Sequence, residues 1–195
     1  AYNPATNRLL GGTRTTITAT ATRNLGELSL DFQSLDVASV RVDGAPAAFG
    51  QVPANPAPRH GTRLRKLVVR PAAGIPEGEE FRVSVRYSGR PVPIVDPDGT
   101  TEGWVRACVG PATPLTCDGA LVVNEPNGAQ GWFPGNHHPS DKATVATSIE
   151  VPSGHTALGV GELASRENTG DGKRRWNWVE DDPTGLASAA LVWRM

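Results

Sequence analysis

From Glu80 to Tyr87 the chain alternates without a fault. Phe81, Val83, Val85 and Tyr87 fall on one parity and Glu80, Arg82, Ser84 and Arg86 on the other. Successive side chains of a strand leave opposite faces, so this period predicts a strand with one dry and one wet side. Leu28, Leu30 and Phe32 alternate in the same way with Glu27, Ser29 and Asp31. Ile17, Ala19 and Ala21 do so within the Thr-rich stretch from Gly12 to Thr22. Val40 and Val42 run into Asp43-Gly44, a hairpin signal that returns the chain through Ala45 to Phe49. Leu64 to Arg70 predicts a further strand, stopped by Pro71. No segment holds a helical period over ten residues, and no repeat of fixed length appears. The expected fold is all-β, an antiparallel β-sandwich or saddle-shaped double sheet, with residues 1–195 forming a single β domain.

Beyond this alternation the chain is punctuated. Val52 to His60 carries Pro53, Pro56 and Pro58 and reads as an exposed connection that buries little. Pro91, Pro93, Pro97 and Asp98-Gly99 read as a break, followed by a long excursion through Trp104 and the segment holding Cys108 and Cys117. Those two cysteines flank Gly110-Pro111-Ala112-Thr113-Pro114. They either close a disulfide, which suits an exported protein, or stand as reduced, partly buried thiols. A later strand passes through Ile149 and Val151, turns at Gly154, and is followed by a polar turn at Asn168 to Gly172. Trp176 and Trp178 then share one face of a strand ending in Glu180-Asp181-Asp182-Pro183.

A formal net charge of −1 offers no electrostatic case for nucleic acid or an anionic membrane. No apolar run is long enough to span a bilayer, and the first residues do not form a signal peptide. The cysteine pair and the scarcity of lysine point toward a secreted or surface location. Ala187 to Met195 reads as a strand stopped while still apolar, so we expect a piece of a longer chain.

The most specified chemistry lies between Val122 and Thr144, where Pro126, Pro134 and Pro139 exclude a helix and stiffen the chain. Glu125, just before Pro126, is a carboxylate able to bind a primary ammonium by a charge-assisted hydrogen bond, or else a solvated loop residue. His137 and His138 are neighbours and point in opposite directions on extended backbone. A metal would need His60, His155 or Asp141 as well, and the simpler expectation is that one histidine packs and the other is exposed, with no metal site in the chain. Asp141-Lys142 reads as a local polar pair or turn cap. Trp132-Phe133, Trp176 and Trp178 read as core packing, with a sugar-stacking surface as the alternative. H-E-x-x-H, G-x-S-x-G, P-loop and G-x-G-x-x-G motifs are all absent, and no catalytic residue is expected.

Asn124-Glu125-Pro126, Gly128-Ala129, Trp132-Phe133-Pro134, Asn136 and the run His138-Pro139-Ser140-Asp141-Lys142-Ala143-Thr144 together resemble the N-terminal domain of zinc aminopeptidases of the aminopeptidase N type, particularly their bacterial branch. Ala19-Thr20-Ala21-Thr22, Asn24-Leu25, Leu30-Asp31-Phe32, Tyr87-Ser88-Gly89 with Pro91, and Gly103-Trp104 extend the resemblance over most of the chain. It implies a saddle-like β unit packed on a catalytic domain of the same polypeptide, which supplies zinc, the general base and the G-x-M-E-N loop. None of these is in this sequence. It further implies that Glu125, with Asn124 beside it, helps hold the α-amine of peptide substrates. Val123 stands where many relatives have glutamine, Gln130-Gly131 replaces a basic pair, and His137-His138 replaces acidic residues. The alternative expectation is a free-standing module presenting Trp104, Trp132, Trp176 and Trp178 to carbohydrate or protein.

Overall fold

A computed structural model describes residues 1–54, 61–109, 116–125, 127–185 and 190–194. His60, Pro56 and Pro58, the centre of the cysteine loop, Pro126, and the stretch 186–189 with Met195 lie outside the described residues. In chain order the strands of the first half are β1 (Tyr2–Asn3), β2 (Arg8–Leu9), β3 (Arg14–Thr20), β4 (Leu28–Asp31), β5 (Asp36–Val42), β6 (Ala45–Pro46), β7 (Ala48–Pro53), β8 (Arg65–Arg70) and β9 (Glu80–Ser88). Those of the second half are β10 (Ile94–Val95), β11 (Thr101–Val109), β12 (Thr116–Val123), β13 (Ala143–Pro152), β14 (His155–Leu158), β15 (Glu162–Gly170), β16 (Lys173–Thr184) and β17 (Ala190–Arg194). A single turn of 3-10 helix at Gly128–Gly131 follows β12. Among the described residues every strand pair is antiparallel, and no helix is long and apolar enough to cross a membrane. The protein is all-β.

The first half makes the sheets β3-β9-β5-β6 and β4-β8-β7, with β1 and β2 paired as a separate two-stranded sheet. Alternation decides which side of each is dry. Phe81, Val83, Val85 and Tyr87 of β9 are buried, while Glu80, Arg82 and Arg86 are exposed. Leu67 and Val69 of β8 and Leu30 of β4 supply the opposing layer, and the Phe32 ring meets Tyr87 edge-on at 5.0 Å. Asp43 and Gly44 both take positive φ, 48° and 82°, as a tight two-residue hairpin requires, and Val42 pairs with Ala45 across it. The connection expected from Val52 begins later, since β7 keeps its pairing with β8 as far as Pro53.

The second half makes the five-stranded sheet β10-β11-β12-β17-β14 and the three-stranded sheet β13-β16-β15. Here the expectation of a long excursion is corrected. The chain turns at Asp96–Thr100 and re-enters the sheet as β11, which pairs with β12 around the cysteines. Cys108 and Cys117 form a disulfide between these two strands. The indole N–H of Trp178 donates to the Ala157 carbonyl at 3.1 Å and ties the two sheets together. β15 was not legible as a strand because it has no dry parity. It is an edge strand, with all but Thr169 of its residues exposed.

The segment 124–142 lies between the halves as a strut. Asp31 and Gly135 exchange backbone hydrogen bonds at 2.8 and 3.2 Å, and the Gln33 N–H donates to the Gln130 carbonyl at 2.7 Å. A column of rings crosses the same junction. Tyr2 meets Trp104 at 4.8 Å, Trp104 meets Trp132 at 5.5 Å, Trp132 meets Phe133 at 4.5 Å, and Phe133 meets His137 at 5.3 Å. Such tilted and edge-on pairs are the favoured aromatic geometry. Buried apolar residues from both halves, all but Ile94 and Ala129 of those described, form one contiguous cluster.

Two expectations follow for stability. Leu67 has no exposed surface, so Leu67→Ala should cost about 2–5 kcal/mol, read as a lower urea midpoint at unchanged m-value. His137 ends the ring column with both ring nitrogens enclosed and without a hydrogen-bond partner. Burial lowers its pKa from 6.5 to about 4, with Asp31 opposing the shift and Lys66 adding to it. Below pH 6.5 the unfolded chain takes up the proton first, so stability is complete above that pH and is lost as the pH falls toward 4. The loss should reach about 2–3 kcal/mol. In urea unfolding at pH 7 and pH 4.5, His137→Phe should match the parent at the higher pH and exceed it at the lower.

Candidate functional site

The site is built where β12 ends. Along its last residues the sides still alternate: Val122 is buried, Val123 is 43% exposed and Asn124 is buried again. Asn124 faces inward, and its side-chain oxygen accepts the Trp132 indole N–H at 2.9 Å. It thus fastens the loop to the ring column. Glu125 follows as an exposed turn residue. Of the two residues expected to meet a substrate, Glu125 is accessible and Asn124 is enclosed.

The chain just past Glu125 is held from below. Glu102 on β11 is buried, and its Oε2 accepts the N–H of Asn127 at 2.8 Å and that of Gly128 at 2.9 Å. Asp96, at the end of β10, is buried beside it and accepts the Asn127 side-chain amide at 3.0 Å. Two carboxyl groups thus meet in a dry place. Burial raises the Glu102 pKa, the neighbouring Asp96 raises it further, and the two backbone N–H groups oppose the rise. The sequence reading missed both residues, because neither sits in a motif. The only available signal was a glutamate on the same parity as Trp104 in the stretch leading to Gly103-Trp104.

Backbone meets backbone at this point. A Cβ on Gly128 would lie 2.2 Å from the Val123 carbonyl oxygen and 2.4 Å from the Gly103 nitrogen. Gly103 itself has φ +84°. Neither position accommodates a side chain, and their contact sets the height of the turn bearing Glu125 above β11.

The histidines separate as extended backbone dictates. His137 packs on Phe133, and its backbone N–H donates to Asp31, which Lys66 pairs at 2.5 Å. His138 is exposed and bonds Ser140 through Nδ1 at 2.7 Å. Asp141 accepts the Asn136 amide at 2.6 Å and donates its N–H to the His138 carbonyl, closing a local turn. His155 is buried elsewhere, with Nε2 3.1 Å from the Asp118 carbonyl. Among the described residues no three His, Cys, Asp or Glu side chains gather as a metal would require. The aromatic surface considered for a sugar-binding module does not form. Trp104 and Trp176 are buried, while the half-buried Trp132 and Trp178 turn their N–H groups inward to Asn124 and Ala157.

No protein-family model matches the chain, and neither does any curated protein. Solved structures do. An M1 zinc metallopeptidase from Deinococcus radiodurans superposes with a TM-score of 0.75 at 22% identity, over 92% of this chain and 37% of that one. A mutant of the Deinococcus radiodurans peptidase bound to a Tyr-Ser-Ala substrate gives 0.74 over the same shares at 22% identity. A two-domain M1 zinc metallopeptidase mutant bound to L-arginine gives 0.75, again at 22% identity and over 92% and 37% of the two chains. The chain spans 37% of the length of these neighbours, and over that part it has the fold of M1 zinc metallopeptidases.

Proposed function

We propose that residues 1–195 are the N-terminal β domain of a zinc-dependent aminopeptidase, without catalysis of its own. It packs on the catalytic domain of the same polypeptide and uses Glu125 to orient the α-amine of a peptide substrate. The fold shared with about a third of the neighbours' length supports the division of labour. The described residues do not fit a zinc site, since His137 is enclosed in the ring column and His138 and His155 stand apart from each other and from any carboxylate cluster. Zinc in such a protein is held by the catalytic domain.

The observation that carries the role of Glu125 is the contrast with its neighbours. It is exposed, while Asn124 before it and Gly128 after it are buried and hydrogen-bonded. A carboxylate on a fixed turn gives an ammonium one position and direction. Holding the first residue of a peptide this way sets the scissile bond one residue along, which is the register of an exopeptidase. A charge-assisted hydrogen bond of this kind is worth about 1.5–3 kcal/mol.

The test uses the full-length protein with alanyl- and leucyl-anilide substrates. Glu125→Ala should raise KM by about tenfold and leave kcat within about threefold, with zinc content unchanged and a chelator abolishing both activities. A zinc-loaded full-length protein that releases no amine would overturn the peptidase reading, and an unaltered KM in Glu125→Ala would overturn the role of this residue.

A further inference from the structure

A buried carboxyl group with no ion pair among the described residues calls for an explanation. Glu102 stands where a packed sheet would take an apolar residue, between the buried Trp104 side of β11 and the turn after β12. It shares Asn127 with a second buried carboxyl, Asp96. Such an arrangement is costly unless every lone pair and proton is used. Here Glu102 Oε2 takes the N–H groups of Asn127 and Gly128, and Asp96 takes the Asn127 side-chain amide. The bonds all converge on one element, the turn immediately after Glu125.

We propose that Glu102 is the positioning residue of the site: with Asp96 behind it, it clamps the N–H groups of Asn127 and Gly128 and thereby fixes the turn that presents Glu125 to a substrate ammonium. This rests on the reading of Glu125 given above. The clamp has one anchor on each side of Glu125. Asn124 is pinned through Trp132, Asn127 and Gly128 are pinned through Glu102, and the chain between spans only three peptide units. Loss of either anchor leaves Glu125 on a loop end free to swing, and a carboxylate displaced by an ångström no longer meets the ammonium of a seated peptide. Glutamine is the closest steric mimic of Glu102, keeping an oxygen for the two N–H groups and placing an amide N–H where it can meet Asp96.

The experiment is a double-mutant cycle in the full-length, zinc-loaded protein with alanyl-anilide, combined with amide hydrogen exchange over residues 124–131. Glu102→Gln should keep KM within about twofold of the parent and retain exchange protection at Asn127 and Gly128. Glu102→Leu should lose that protection and raise KM about tenfold at nearly constant kcat. The pair Glu102→Leu with Glu125→Ala should be no worse than Glu125→Ala alone, because a misplaced carboxylate and an absent one are equivalent. If Glu102→Leu fails to fold, Asn127→Ala replaces it, removing the Asp96 contact from a half-exposed side chain. It should raise KM by about threefold, again only when Glu125 is present. Effects that multiply independently, or Glu102→Gln as damaging as Glu102→Leu, would overturn the proposal while the role of Glu125 stood. If Glu125→Ala itself leaves KM unchanged, the substrate-orienting reading fails and takes the positioning role with it, whatever the exchange data show of the clamp.

Discussion

Gly103 and Gly128 press their backbones together at a distance that no side chain could share. Much of the second half is arranged by that contact. It fixes β11 under the turn after β12, and a strand's alternation then carries the placement outward, with Glu102 and Trp104 both on the buried side. Trp104 reaches Tyr2 on one side and Trp132 on the other, so the ring column starts from a strand already held in height. Glu102 reaches the amides of Asn127 and Gly128 from the same strand. One close approach therefore sets both the apolar and the polar supports of the loop.

Those supports differ in what they specify. Ring contacts are broad, and a tryptophan against a phenylalanine tolerates rotation and sliding. A buried carboxylate that receives two backbone N–H groups at 2.8 and 2.9 Å tolerates little of either, since a shift leaves a donor unsatisfied in a dry place. The column binds the two halves of the chain, and the carboxyl pair chooses one loop geometry among those the column would accept. Asp96 is part of that choice, because the Asn127 side chain would otherwise have no fixed partner below it.

The first half was largely legible in the sequence because its dry faces are made of apolar residues at strict period two. Phe81 to Tyr87 and Leu28 to Phe32 lie as their parity requires, and Asp43-Gly44 turns as its residue types require. The separation of His137 from His138 followed from extended backbone alone. What escaped was built from residues whose burial is non-local. β11 looked like an excursion because Pro91, Pro93, Pro97 and Asp98-Gly99 read as a break before it and a glutamate stands on the side of Trp104, and only the partners brought in by β10 and the loop make that glutamate a buried residue. β15 escaped for the opposite reason, having nothing to bury. The direction of Asn124 was readable in principle, as the next inward position after Val122, yet its partner Trp132 is fixed only by the fold.

The same parity bears on what Glu125 faces. Leu121 and Val123 are outward on β12, 46% and 43% exposed, and they alternate with the buried Val122 and Asn124 just before the exposed glutamate. An apolar strip leading to a single carboxylate is a poor surface to leave in water, and isolated exposed valines or leucines would carry no such weight. In a peptidase of the kind proposed, the two features have one origin. Under the proposed function the strip is the face that the body carrying the cleft would cover, and covering it would remove water from around Glu125 and strengthen the attraction of the carboxylate for an ammonium. Packing and recognition are then a single requirement on β12, met by alternate residues of one strand.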